Sequence, residues 1–427
     1  MMKKIDVLIQ VLVIILVGGE VICENELVSV VIIFRHGART IIQPYPTDPY
    51  KNESLWPVGF GQLTNEGKMQ HFKLGQYFRE RYGDFLPKKY TEKQVYVRST
   101  DVDRTLMSAA ANLAGLFPPE GAQVWDKDIP WQPIPIHTEP ELEDAFLASK
   151  KPCAKYDILY NNMINSEEMK KLNFENKDLY EYLNKHSGEN IKDFDAMGYL
   201  YNNLFIENYM NFTLPEWTKE VFPDKMKPLS DFSFALPCYK RELARFKTGP
   251  FFYDLLKYFS KVKHRKNVTD DYIKLKIFSG HDTTLANLLE SLGIFEYHSP
   301  PFRSTLIFEL YQNKSSDSDL NHFVKIFYKN TTSEPNKMVL KGCDFDCDFE
   351  IFQKLLEPLS MSLYEWDREC KVSLFSTVTE NRENLVIATS LLIIVICFVA
   401  VLIKFIYIKN KKDRTVYLRL PDDEEQV

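Results

Sequence analysis

The sequence predicts an α/β fold: a doubly wound, mostly parallel sheet flanked by helices, with an inserted helical segment and a single C-terminal transmembrane helix. Three observations predict it. Val28 to Phe34 is a nearly unbroken apolar run rich in β-branched residues, which reads as a strand buried on both faces. Tyr272 to Phe278 alternates enough to be a second strand. Stretches of helical spacing separate such runs, and that alternation is the pattern of a doubly wound sheet.

The elements follow in order. Lys3 and Lys4, the apolar stretch Val7 to Val17 and Gly18-Gly19 read as a secretory signal peptide over residues 1–23. After the first strand comes a loop with Pro44, Pro46, Pro49 and Pro57. Thr64 then caps a helix to about Tyr82, with Gly83 at its C-terminal end. Gln94 to Val97 is a short strand that delivers Arg98, and Asp101 or Asp103 caps the next helix. Residues of about 150–240 are rich in Asn, Lys, Tyr and Phe and lack buried-strand runs, so they read as a helical lid on the α/β domain. The bland alternative is that they are outer helices of one domain. Past Tyr272 to Phe278, Thr283 or Thr284 caps a helix that Gly293 stops. Ser304 to Leu310 and His322 to Tyr328 read as two further strands.

The C-terminus is different in kind. Residues 385–408 are apolar apart from Thr389, Ser390 and Lys404 and long enough to cross a bilayer, and Lys409, Lys411, Lys412 and Arg414 follow. That places residues 24–384 in a lumen and the tail, 409–427, in the cytoplasm, in a type I topology. Sequons at Asn52, Asn211, Asn267, Asn313 and Asn330 all fall on the lumenal side. The formal charge of −6 gives no basic field for nucleic acid.

The chemistry gathers at strand ends, where open α/β sheets bind ligands. The first strand runs directly into Arg35-His36-Gly37-Ala38-Arg39. Arginine forks match phosphate oxygens, and a neutral imidazole is a nucleophile. Gly37 would let the backbone turn sharply and approach a ligand closely. The second strand ends at Ser279-Gly280-His281-Asp282, an imidazole and a carboxyl before a capped helix. His71, His137, His186, His264, His298 and His322 lack such a context and read as structural or solvated.

Arg35-His36-Gly37-Ala38-Arg39 resembles the RHGxR signature of the histidine acid phosphatases, a branch of the histidine phosphatase superfamily. Trp56 to Thr64, Val97 to Thr105 and Ser279 to Thr284 resemble three further segments of that family, and the likeness spans residues of about 27 to 372. Its animal lysosomal and prostatic members are the most similar branch. Ile41 stands where the family commonly has proline, which bears on the loop and not on the chemistry.

The resemblance implies a phosphoglycerate-mutase-like fold and an acid phosphatase. His36 would be the nucleophile, forming a phosphohistidine. Arg35, Arg39, Arg98 and His281 would bind the phosphate, and Asp282 would be the general acid. No cofactor or metal is implied, because the arginines supply the charge. Cys153 and Cys370 match family positions that pair, whereas Cys343 and Cys347 are close enough to close a small loop by themselves. Cys238 reads as a buried thiol, and a zinc site does not suit the spacings. The compartment implied is the lysosomal or endosomal membrane, with an outward-facing plasma-membrane enzyme as the alternative. A homodimer stays open. Tyr417 and Leu420 resemble the signal read by clathrin adaptors. Two other functions stay open: a phosphatase restricted to one class, such as inositol phosphates or lysophospholipids, and a non-enzymatic glycoprotein on the same fold. The rim around Trp56, Phe60 and 150–240 would discriminate between substrate classes.

Overall fold

The computed structural model describes residues 25–265, 272–313, 322–330, 334–371 and 382–416. The signal peptide, Asn267 and the tail residues Tyr417 and Leu420 lie outside them. The chain divides into two units, one running to Arg368 and the other starting at Glu369.

Among the described residues, the first unit is built on one sheet of seven strands: β1 (Asn25–Arg35), β2 (Val95–Ser99), β3 (Leu275–Gly280), β4 (Thr305–Asn313), β5 (His322–Lys329), β6 (Asn336–Met338) and β7 (Cys347–Asp348). Its order is β2-β3-β1-β4-β5-β6, with β7 also on β5. Only β2, β3 and β1 run parallel; every other pairing is antiparallel. The sheet is therefore mixed, not mostly parallel. The reason is local. Arg35 N–H donates to Ser304 O and Arg303 N–H donates to His36 O, so β4 starts beside the end of β1 and must run back along it. A parallel partner would need a crossover to the opposite end.

Side chains of β1 alternate between two cores. Val31 and Ile33 pack with Phe251, Phe252 and Phe259 of α8 (Arg241–Lys263) and with Leu285, Leu288 and Leu289 of α9 (Asp282–Ser291). Val30, Ile32 and Phe34 pack with Leu74 and Phe78 of α1 (Asn65–Arg81) and with Ala109, Leu113 and Leu116 of α2 (Asp103–Leu116). Burying such a side chain is worth about 1.5–3 kcal/mol, so both faces of β1 hold it in register.

Residues 154–233 are helical, as α3 (Ala154–Ile164), α4 (Glu167–Glu175), α5 (Lys177–Ser187), α6 (Phe194–Tyr209) and α7 (Lys227–Ser233). They have an apolar cluster of their own, with Leu183, Met197, Leu200 and Leu204 around Tyr45. Helices α10 (Phe349–Leu356) and α11 (Leu363–Glu369) follow β7. Cys343 and Cys347 form a disulfide, Cys153 and Cys370 are each disulfide-bonded, and Cys238 is a free buried thiol.

The second unit contains α12 (Arg382–Val416). Within it, Val386–Lys411 is 26 residues long, and its most apolar 18-residue window has a mean hydropathy of 3.2, enough to cross a membrane.

Candidate active site

The C-terminal ends of β1 and β3 lie side by side, with Arg35 opposite Gly280. His36 N–H donates to Gly280 O at 3.0 Å, which continues the pairing one residue past the strand. This register sets His36 beside the start of α9, whose first residue is Asp282. The imidazoles of His36 and His281 stand with centroids 5.8 Å apart, edge to face.

Glycine has a different role here from the one expected. A Cβ on Gly37 would lie 2.7 Å from the Gly67 Cα and closer still to its carbonyl, and a Cβ on Gly67 would lie 2.8 Å from Ala38 N. The two glycines let the first turn of α1 press backbone to backbone against the loop after β1. Gly37 thus serves the approach of a helix. Thr64 caps that helix by accepting from Gly67 N–H and donating to Ala38 O. Gln70 Oε1 accepts from Ala38 N–H, and Ser108 Oγ from Gly37 N–H.

His36 is 1% exposed, and its Nδ1 lies 2.8 Å from Gly37 O. A carbonyl only accepts, so Nδ1 carries the proton and Nε2 keeps its lone pair. Burial, followed by Arg35, Arg104 and Arg39, holds the imidazolium form well below its ordinary range. His36 is therefore neutral in mildly acidic water. Behind it, buried His71 Nε2 lies 3.0 Å from Arg35 O and braces the strand end.

Arg35 Nη2 lies 2.8 Å from Asp282 Oδ2 in an ion pair. Its guanidinium also donates to Pro300 O and stacks 4.4 Å over the Phe302 ring. Arg39 donates to Thr40 O at 2.9 Å and to Asn202 Oδ1 of α6 at 3.1 Å. Buried nitrogens on Arg35, Arg39 and Arg104 still have no protein acceptor. An anion with several oxygens is the ligand that satisfies such a set. Burial raises Asp282, but Arg35, Arg39 and His281 together outweigh it and hold the carboxyl below its usual range. His281 is pushed down to about 3, by burial first and then by Arg104. Its Nε2 lies 3.0 Å from Thr100 Oγ1.

Similarity to known proteins agrees with this geometry. Residues 26–329 match the model of the histidine phosphatase superfamily, branch 2. The chain belongs to that family. Its relatives include human prostatic acid phosphatase, 40% identical over 85% of this chain and 92% of that protein. The lysosomal acid phosphatase of Xenopus laevis is 37% identical over 91% of this chain and 89% of that one. Among solved structures, apo Hafnia alvei phytase shares the fold, with a TM-score of 0.59 and 17% identity over 82% of this chain and 99% of its own.

In this histidine phosphatase, His36, Arg35, Arg39, His281 and Asp282 come together as the sequence suggests. Arg98 does not join them. Its Nη2 lies 2.8 Å from Glu139 and 3.1 Å from Asp144, and its guanidinium sits 4.7 Å over Phe146. Arg98 alternates with Val97 on β2, and Val97 faces the core of α1 and α2. The arginine that takes its place is Arg104, in the first turn of α2, whose charge acts on His36 and His281 and pairs electrostatically with Asp282. Its signal was present in the same segment, six residues after Arg98, but spacing alone does not say which of the two reaches the ligand. Trp56 also departs from expectation. It is buried beside Ala38, Ile41, Ile206 and Phe302, donates to Tyr50 O, and so supports the loop and not a substrate rim. Tyr199 of α6 is the exposed aromatic that is electrostatically coupled to Asp282.

Proposed function

We propose that this acid phosphatase transfers the phosphoryl group of a monoester to His36 Nε2 and then to water. One observation carries the proposal: a buried, neutral imidazole with its Nε2 lone pair free, ringed by three arginines with unsatisfied donors. In the first step Nε2 bonds to phosphorus while the ester P–O bond breaks. Arg35, Arg39 and Arg104 neutralise the equatorial oxygens, and neutral His281 donates a hydrogen bond to them. Asp282 passes a proton to the departing alkoxide. In the second step the Asp282 carboxylate takes a proton from water as its oxygen attacks phosphorus and the P–N bond breaks.

Asp282 is ionised and paired with Arg35 before substrate binds, so its proton must come in with the substrate. A phosphate monoester has its second pKa near about 6 and is largely a monoanion in acidic solution. The bound phosphate draws Arg35 towards its own oxygens, and its charge raises Asp282, so the proton moves to the carboxyl. On this account acid is required to load the substrate's proton, whereas His36 needs none.

Helix α6 supports the reading of 150–240 as a cover over the site, because its Asn202 accepts from Arg39. The apolar span Val386–Lys411 supports a single type I membrane anchor, and its basic end supports a cytoplasmic tail. Exposed Asn52 and Asn211 support lumenal glycosylation. A lysosomal or endosomal membrane fits that topology, with adaptor binding through Tyr417 and Leu420.

The test is hydrolysis of a panel of monoesters by the full chain between about pH 4 and 8, with His36→Ala alongside. Turnover is expected on the acid side and none in the variant. Turnover that survives His36→Ala, or an optimum above neutrality, would refute the reading.

A further inference from the structure

Two carboxyls away from the reacting centre are buried against each other. Glu207 of α6 is 0% exposed and Asp48, in the loop after β1, is 1% exposed. Asp48 Oδ1 accepts from Tyr50 N–H at 2.6 Å. Taken as two carboxylates, Glu207 Oε1 and Oε2 and Asp48 Oδ2 have no donor. Yet the two buried carboxyls act on each other directly, as charge and as hydrogen-bond partner. Two acceptors attract only when one of them holds a proton. Removing it would leave two unpaired like charges in an apolar setting, which is costly.

The placement gives the pair a task. The chain from Arg39 runs through Asp48 and meets Glu207, and α6 leads back from Glu207 to Asn202, which holds Arg39. Asn203 adds a second tie, donating to Gln43 O at 2.8 Å. We propose that Glu207 and Asp48 share one proton that fastens α6 to the loop carrying Arg39, so that the anion clamp is assembled in acidic solution and loosens as the proton leaves. Both are positioning residues, acting on substrate through Arg39.

Among the described residues, one other ionisable group competes with that proton. Tyr45, Tyr50 and Lys51 of the same loop are the remaining groups coupled to the pair. The buried Tyr45 hydroxyl has no partner of its own, so it is the one alternative donor. On α5, His186 offers its backbone carbonyl to Thr47, and its ring stacks on Trp217. Burial first, then Asp48, pushes Glu207 up to about 9, and burial raises Asp48 too, in keeping with the geometry.

The inference rests on the phosphatase reading for its kinetic arm only. The full chain in detergent micelles is compared with Glu207→Gln, whose amide donates to Asp48 without a titrating proton, and with Tyr45→Phe. Thermal midpoint is measured from about pH 5 to 8, and the inhibition constant for inorganic phosphate from about pH 6 to 10. Wild type and Tyr45→Phe are expected to lose thermal midpoint relative to Glu207→Gln as pH rises from 5, and to lose phosphate affinity only as pH passes about 9, where the shared proton leaves, by up to about tenfold per pH unit, the limit for one proton. Near pH 5 the proteins should agree. Parallel profiles for wild type and Glu207→Gln would overturn the proposal, as would a Tyr45→Phe profile that is flat. Should Glu207→Gln fail to fold, infrared titration of wild type decides. A carboxyl band that persists through neutrality is expected, and its absence would overturn the proposal even in a protein without turnover.

Discussion

At the scale of single residues, the proposed site is an imidazole kept neutral by burial and by the same charges proposed to bind its substrate. Arg35, Arg104 and Arg39 depress His36 and leave nitrogens without acceptors. The two arginines of the second segment therefore predict opposite phenotypes. Arg104→Ala should weaken inhibition by phosphate roughly 10- to 100-fold, because a charge-assisted hydrogen bond is worth about 1.5–3 kcal/mol. Arg98→Ala should leave that inhibition unchanged and lower the thermal midpoint, since it strips a cation from Asp144, which is 0% exposed. The reverse pattern would restore Arg98 to the clamp. For Asp282→Asn, esters with poor leaving groups should slow by about 10²–10⁴-fold more than aryl esters, the usual worth of a general acid. Equal losses on both substrate types would remove Asp282 from that role.

At the scale of elements, the first strand and the residues after it are legible because a buried run that ends in polar side chains has one simple reading. Thr64 is legible as a cap for a similar reason, since its side chain has a local partner in Gly67. Other caps are not. The residue before α2 is Val102, with no side-chain cap; Thr105 instead donates to Val102 O. At α9 the cap position is His281, and Thr284 supports it from inside the helix by accepting His281 N–H. A residue of the proposed phosphate site thus occupies a position where composition points to threonine. The choice between Arg98 and Arg104 and the direction of β4 are equally illegible, because each depends on register and on contacts distant in sequence. Gly67→Ala tests the closest of those contacts. It should destabilise by about 1–3 kcal/mol or more, as overpacking does, and lower activity by displacing the loop of His36. Unimpaired stability would mean that α1 does not need to approach so closely.

At the scale of the whole molecule, stability should peak on the acid side of neutrality. Burial pushes His71 from its ordinary 6.5 down to about 3, and a depressed histidine adds stability that is lost as pH falls from 6.5 towards 3. Glu207 runs the other way. Burial lifts it from 4.5 to about 9, so its contribution is fullest below 4.5 and is lost as pH rises towards 9. The two trends leave a maximum between 4.5 and 6.5. Thermal midpoints across that range check it, and a midpoint that climbs through pH 8 would contradict it.

The central claim is that His36 carries the phosphoryl group. The most direct measurement is rapid denaturing quench of the full chain during turnover of a substrate labelled in its phosphate. The label should remain on the protein, survive alkali and be released by acid, as a phosphoramidate is, and should map to His36. Arg98→Ala should trap it as wild type does, and His36→Ala should not trap it at all. Label that persists in His36→Ala, or wild-type turnover with no covalent label at any quench time, would contradict the account.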